Sequence, residues 1–148
     1  MLPLVLNKRA RYEFESIETL RAGLVLSGGE VKMLRGKHGS LAGSYVRVIG
    51  DHAVLLNAQI PPYPYARNEE YEPTRTRKLL VKKSELLKLK QAQETKGHTL
   101  VPLMIALDGR FIKIEVAIAR GKNTADRRES IRKRDLERDT ARDLKNFK

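Results

Sequence analysis

The chain contains no cysteine. That excludes disulfides, thiolate metal sites and a cysteine nucleophile. Histidine is scarce too: His38, His52 and His98 stand far apart, with no metal-ligand spacing between them. No His-Glu-x-x-His, nucleophile elbow or Walker loop is present, and Gly28-Gly29 lacks the third glycine of a dinucleotide fingerprint. These absences predict a protein that is not an enzyme, with no cofactor, metal or small-molecule substrate. Long hydrophobic runs are missing as well. The apolar stretch Met1–Leu6 has no basic region before it and is too short for a signal peptide or a bilayer span. The expectation is a soluble, cytoplasmic monomer.

What is abundant is positive charge. Thirty Lys and Arg face 18 Asp and Glu, a net charge of +12 with a pI near 10.1. Such an excess opposes compaction by self-repulsion and favours a polyanionic partner. The two usual candidates are nucleic acid and acidic membrane. A membrane surface calls for an amphipathic helix with large apolar residues, and the C-terminal segment offers only Leu144 and Phe147. Nucleic acid is therefore the expected partner.

The charge is uneven. Residues 120–148 hold 11 basic and 6 acidic residues, and apolar residues nearly vanish after Ile118. The chain of 148 residues thus divides into a domain over 1–122 and a basic tail over 123–148. The tail has little to bury. It is expected to be disordered alone and helical against a negatively charged groove. In that helix Arg134, Arg138 and Arg142 share one face at four-residue spacing, and Lys133 pairs with Glu129.

Within the domain the pattern is strand-rich. Tyr12–Ile17 alternates aromatic and acidic residues with a period of two, which predicts a strand. Thr19–Leu26 is read as a short helix with Thr19 as N-cap, broken by Gly28-Gly29, and Glu30–Arg35 as a strand or turn element. Ser44–Ile60 predicts a hairpin turning at Gly50-Asp51, and the proline-rich Pro61–Tyr65 a loop. Ser84–Lys96 predicts a helix with Ser84 as N-cap, Leu86, Leu87 and Leu89 as its apolar face and Gly97 at its end. A second hairpin runs Leu100–Leu107, Asp108-Gly109, Phe111–Ile118, with Ile112, Ile114, Val116 and Ile118 on the buried face. The fold class is mainly β and antiparallel with accessory helices. Periodicity alone leaves a small barrel, OB-like for example, and a sandwich both open.

Four basic clusters stand out. Arg75 and Arg77, followed by Lys78, project from one side of an extended segment, where two guanidinium forks can bridge successive phosphates. Lys32 and Arg35 flank Val31 and Leu34, giving one element a core face and a cationic face. Asn7 precedes Lys8, Arg9 and Arg11. Arg120-Gly121-Lys122 follows the last strand, with a glycine that lets backbone approach a phosphate.

Read in order, Asn7–Glu13, Ala22–Leu26, Gly29–Lys32 with Leu34-Arg35, Ser44–Val46, Pro73–Leu80, Lys96-Gly97 to Val101–Leu103, Ala119–Lys122 and Asp126–Glu129 resemble the small protein B (SsrA-binding protein) family. The resemblance runs from about Leu6 to the C-terminus. It implies an antiparallel OB-like barrel that binds the tRNA-like domain of transfer-messenger RNA. It also implies a tail that folds in the empty mRNA channel and meets ribosomal RNA of the decoding centre, so that stalled ribosomes are rescued. On that footing Asn7, Arg11, Glu30, Lys32, Arg35, Arg75, Arg77, Lys78, Arg120, Gly121 and Lys122 belong to the RNA-facing surface. Asp126, Arg127, Arg128, Lys133, Arg134, Arg138 and Arg142 belong to the ribosome-engaging tail. Arg21 and Ala125 depart from the family pattern, which has glutamate and an aromatic or histidine there. The alternative is a barrel that binds ribosomal RNA without specificity for transfer-messenger RNA.

Overall fold

The computed structural model describes residues 1–66 and 70–121. Ten elements follow one another: β1 (Leu2–Leu6), α1 (Lys8–Glu13), β2 (Phe14–Leu24), α2 (Gly28–Arg35), β3 (Tyr45–Ile49), β4 (His52–Leu56), β5 (Arg77–Leu80), α3 (Lys83–Glu94), β6 (His98–Asp108) and β7 (Phe111–Gly121). The strands form one seven-stranded sheet in the order β1-β6-β7-β2-β5-β4-β3. Every pairing is antiparallel.

Both expected hairpins are present. Asp108 pairs with Phe111 across a turn in which Gly109 takes a φ of 62°, and Ile49 pairs with His52 across Gly50 at 63°. That left-handed backbone costs glycine no Cβ clash, so each turn lands where its glycine stands. On β7 Ile112, Ile114, Val116 and Ile118 turn inward, as alternation requires, while Lys113 and Glu115 are half-exposed. Further along, the opposite face is covered too. Ala117 and Ala119 are fully buried with Ala10 of α1 and Val101 of β6 in a second small core.

Two elements are of a different type from the sequence reading. The stretch read as a helix from Thr19 is the second half of β2, paired with β7 from Thr19↔Ala117 to Gly23↔Lys113. Leu20, Ala22 and Leu24 point inward and Thr19 and Arg21 outward, a period of two that the pairing satisfies. The stretch read as a strand or turn from Glu30 is α2. Gly28-Gly29 opens this helix rather than ending the preceding element, because Ser27 and Glu30 form a capping box. The Ser27 hydroxyl accepts from the Glu30 amide at 3.3 Å, and the Glu30 carboxylate accepts from the Ser27 amide at 3.0 Å. Tyr12 and Glu13, read as strand, finish α1. In α3 the helix starts one residue early, and the Lys82 amide donates to Glu85 at 3.0 Å, leaving Ser84 inside the first turn. Its buried face is Leu89 and Ala92 with Leu86 behind them; Leu87 faces outward.

The sheet curls without closing. Its edges are β1 and β3, and β3 comes to lie against β6 with α3 packed across β3, β4 and β6. Gln93 of α3 completes the seam: its Oε1 accepts from the Val48 amide at 2.7 Å and its Nε2 donates to the Val48 carbonyl at 3.1 Å. One side-chain amide thus stands in for a neighbouring strand at an otherwise unpaired edge. The result is an open, OB-like barrel, its interior filled from both hairpins, α2 and α3.

Candidate nucleic-acid interface

The candidate interface is built around a buried charge. Glu30 sits in the first turn of α2 with its side chain 1% exposed. Both forks of the Arg75–Arg77 segment converge on it. Arg75 Nε donates to Glu30 Oε2 at 3.1 Å, and Arg75 Nη2 donates to Oε1. From the other side Arg77 Nε donates to Oε2 at 2.7 Å. Tyr71 adds a hydroxyl within 3.1 Å of Oε2 and 2.8 Å of the Ile60 carbonyl.

Arg77 is fully enclosed, and all five of its N–H donors are engaged. Beyond Glu30 they reach the carbonyls of Ala58 (2.8 Å), Arg75 (3.1 Å) and Pro73 (2.9 Å) and the Tyr71 hydroxyl (3.2 Å). For the enclosed Arg77 this corrects the expectation that Arg75 and Arg77 bridge phosphates. They do share a side of the segment, but their common target is an internal carboxylate. Arg75 keeps a third of its side chain in solvent; Arg77 keeps none.

The electrostatics follow from this packing. Burial by itself pushes the Glu30 carboxyl up. Hydrogen bonds from Arg75, the Ser27 amide and Arg77, with the Arg77 charge, outweigh it and hold the pKa at about 2. Glu30 is therefore an anion throughout the physiological range. Burial and the adjacent Glu30 charge push the Tyr71 hydroxyl up, so it stays protonated.

Asn7 is likewise interior. It caps α1 by accepting from the Ala10 amide at 3.3 Å, and its Nδ2 donates to the Pro102 carbonyl at 2.8 Å. Arg77 therefore offers no side-chain surface to a ligand, and Asn7 and Glu30 offer little. Any part they play in binding runs through the elements they hold in place.

The groups that do face outward fall into two sets. Lys32 and Arg35 are exposed on α2, and Lys78 is exposed beside the enclosed Arg77 because alternation on β5 turns it the other way. The second set is Arg11 at the end of α1 and Arg120-Gly121 at the end of β7, brought together because Phe14 pairs with Gly121 and Glu15 with Arg120. Arg120 Nε also meets Glu15 Oε2 at 3.0 Å in an exposed pair, a weak contact in water. Lys122 and the whole tail, including Asp126, Arg127, Arg128, Lys133, Arg134, Arg138 and Arg142, lie outside the described residues. Of the two departures, Arg21 is exposed on β2 opposite Glu115 of β7, and Ala125 lies outside the described residues.

Sequence reasoning missed Ser27 and Tyr71. The spacing Ser27-x-x-Glu30 was the available signal for the first. Nothing local marks Tyr71, which reaches Glu30 from 41 positions away.

Among the described residues no group of three or more His, Cys, Asp or Glu could hold a metal, and no helix is long and apolar enough to cross a membrane. An open OB-like barrel with exposed cations seated on a charged internal scaffold is a nucleic-acid-binding class of domain.

Comparison with known proteins takes this further. Residues 4–146 match the family model described as "SmpB protein". The SsrA-binding protein of Chelativorans sp. (strain BNC1) is 47% identical over 140 residues, covering 94% of this chain and 90% of that one. That of Chloroflexus aggregans is 46% identical, covering 94% and 89%. That of Elusimicrobium minutum is 42% identical, covering 95% and 89%. A solved structure described as "tmRNA-SmpB: a journey to the center of the bacterial ribosome" superposes with a TM-score of 0.68 at 39% identity, covering 86% of this chain and 93% of that chain. The chain belongs to the SmpB family.

Proposed function

We propose that this protein is the RNA-binding adaptor of trans-translation: its barrel binds the tRNA-like domain of transfer-messenger RNA and brings that RNA to stalled ribosomes in the cytoplasm. Membership of the family along almost the whole chain carries the reading. The fold supports it, since Lys32, Arg35 and Lys78 are exposed around a scaffold that Glu30 and Arg77 lock, and Arg11 and Arg120 are exposed at the far end of β7. Binding of this kind asks for positioned cations, not for a nucleophile or a general base, so the adaptor carries no catalytic step of its own. The domain over 1–122 supplies the RNA grip. The tail over 123–148 supplies ribosome engagement, through Asp126, Arg127 and Arg128 near its start and Lys133, Arg134, Arg138 and Arg142 beyond. Only a channel empty of mRNA leaves room for such a helix, and phosphates there offset its ordering entropy.

The test is a titration of the full chain against the tRNA-like domain and against an unrelated folded RNA, at two salt concentrations. The expected result is clear preference for the first, with affinity falling steeply as salt rises; six to ten phosphate contacts would cost roughly 10³- to 10⁵-fold between 50 and 200 mM, with duplex DNA as the upper guide. Equal affinity for both RNAs overturns the reading in favour of a general ribosomal-RNA binder.

A further inference from the structure

The proline-rich loop after β4 is packed and positioned rather than slack. Pro61, Pro62 and Pro64 fix backbone torsions around two tyrosines, and the Ala66 amide closes a turn on the Tyr63 carbonyl at 3.1 Å. Tyr63 and Tyr65 meet edge to face, with centroids 5.4 Å apart and planes at 67°. Tyr63 rests against α2 at Gly29, where an added Cβ would come within 3.2 Å of the Tyr63 Cβ. Lys32, one turn further along α2, places its Nζ 4.9 Å from the centroid of the Tyr63 ring. Tyr65 is 87% exposed, the most exposed large apolar residue among those described. A tyrosine held by an aromatic neighbour, beside a cation, leaves a positioned ring open to solvent.

We infer that Tyr65, braced by Tyr63 and Lys32, is a stacking platform for an unpaired base of the bound RNA. An aromatic ring stacks on any base, and adjacent cations hold the flanking phosphates. Lys32 and Arg35 lie at i and i+3 on α2, one turn apart and both exposed, so the platform and the phosphate contacts belong to one surface. The inference rests on the proposed RNA-binding function and specifies how that surface recognises its partner. It predicts a requirement for bases free of a duplex.

The chain contains no tryptophan, so Tyr65→Trp installs a sole indole reporter at the platform. Titrating full-length Tyr65→Trp with the tRNA-like domain should quench its emission, with affinity close to wild type; a fully paired RNA duplex of equal length should not quench it. Tyr65→Ala, at a position too exposed to disturb folding, should weaken binding to the tRNA-like domain roughly 5- to 150-fold, the range one stacked base is worth. Its salt slope should stay unchanged, whereas Lys32→Ala should lower that slope by about one. Unaltered affinity in Tyr65→Ala, or emission that does not respond to saturating tRNA-like domain, overturns the platform while wild-type preference for that RNA leaves the adaptor function standing. Loss of wild-type preference overturns the adaptor function instead, and with base-dependent quenching intact the platform survives as a general one.

Discussion

Glu30 carries its charge into the interior in the company of two guanidinium groups. A carboxylate there is costly to desolvate, and its stability depends on every partner being present. With a folded pKa near 2, below the ordinary 4.5, Glu30 contributes stability that is complete above pH 4.5. That contribution is lost as pH falls from 4.5 through 2. Glu30→Gln keeps the shape but strands the enclosed Arg77 without a counter-charge, and should cost about 3–5 kcal/mol. Urea midpoints measured between pH 7 and pH 3 should fall for the wild type and start lower, with a shallower fall, for the variant. A variant within ~0.5 kcal/mol of wild type at pH 7 would show that the charge cluster does not hold the fold. The sequence showed both arginines on one side of an extended segment. It could not show their target, since Glu30 lies 45 and 47 positions away from them. A buried ion pair of such sequence separation leaves no local periodicity to read.

At the scale of elements, what was legible had a short-range cause. The two hairpins were readable because alternating residues flank a turn glycine, and α3 because a leucine stripe repeats at helical spacing. The errors arose where two local signals competed. Gly28-Gly29 looks like a breaker, yet the reciprocal hydrogen bonds of Ser27 and Glu30 make it a helix start. Thr19–Leu24 is compatible with either period, and pairing along β7 decided for the strand. Ser27→Ala should therefore destabilise the domain by about 1 kcal/mol through the lost cap. Within α3, Leu89→Ala should cost about 2–5 kcal/mol, while Leu87→Ala should stay within about 0.5 kcal/mol, since Leu89 is enclosed and Leu87 is 56% exposed. Thermal unfolding of the three variants measures all of this. A Leu87→Ala loss equal to that of Leu89→Ala would contradict the assigned helix face.

For the whole molecule, net charge pointed to a polyanion before any fold was known, and the family pattern specified which one. Composition is also the ground for the proposed division at residue 122, because apolar residues nearly vanish after Ile118. A folded barrel with its cations seated on a locked scaffold can hold one RNA while a basic extension serves a second partner. The two tasks should then separate cleanly in one experiment: binding to the tRNA-like domain and peptide tagging on stalled ribosomes, measured side by side for the full chain and for a chain lacking residues 126–148. The account predicts RNA affinity within about twofold of the full chain, by the additivity of independent sites, and tagging abolished. RNA affinity lost together with the tail, or tagging that persists without it, would contradict it.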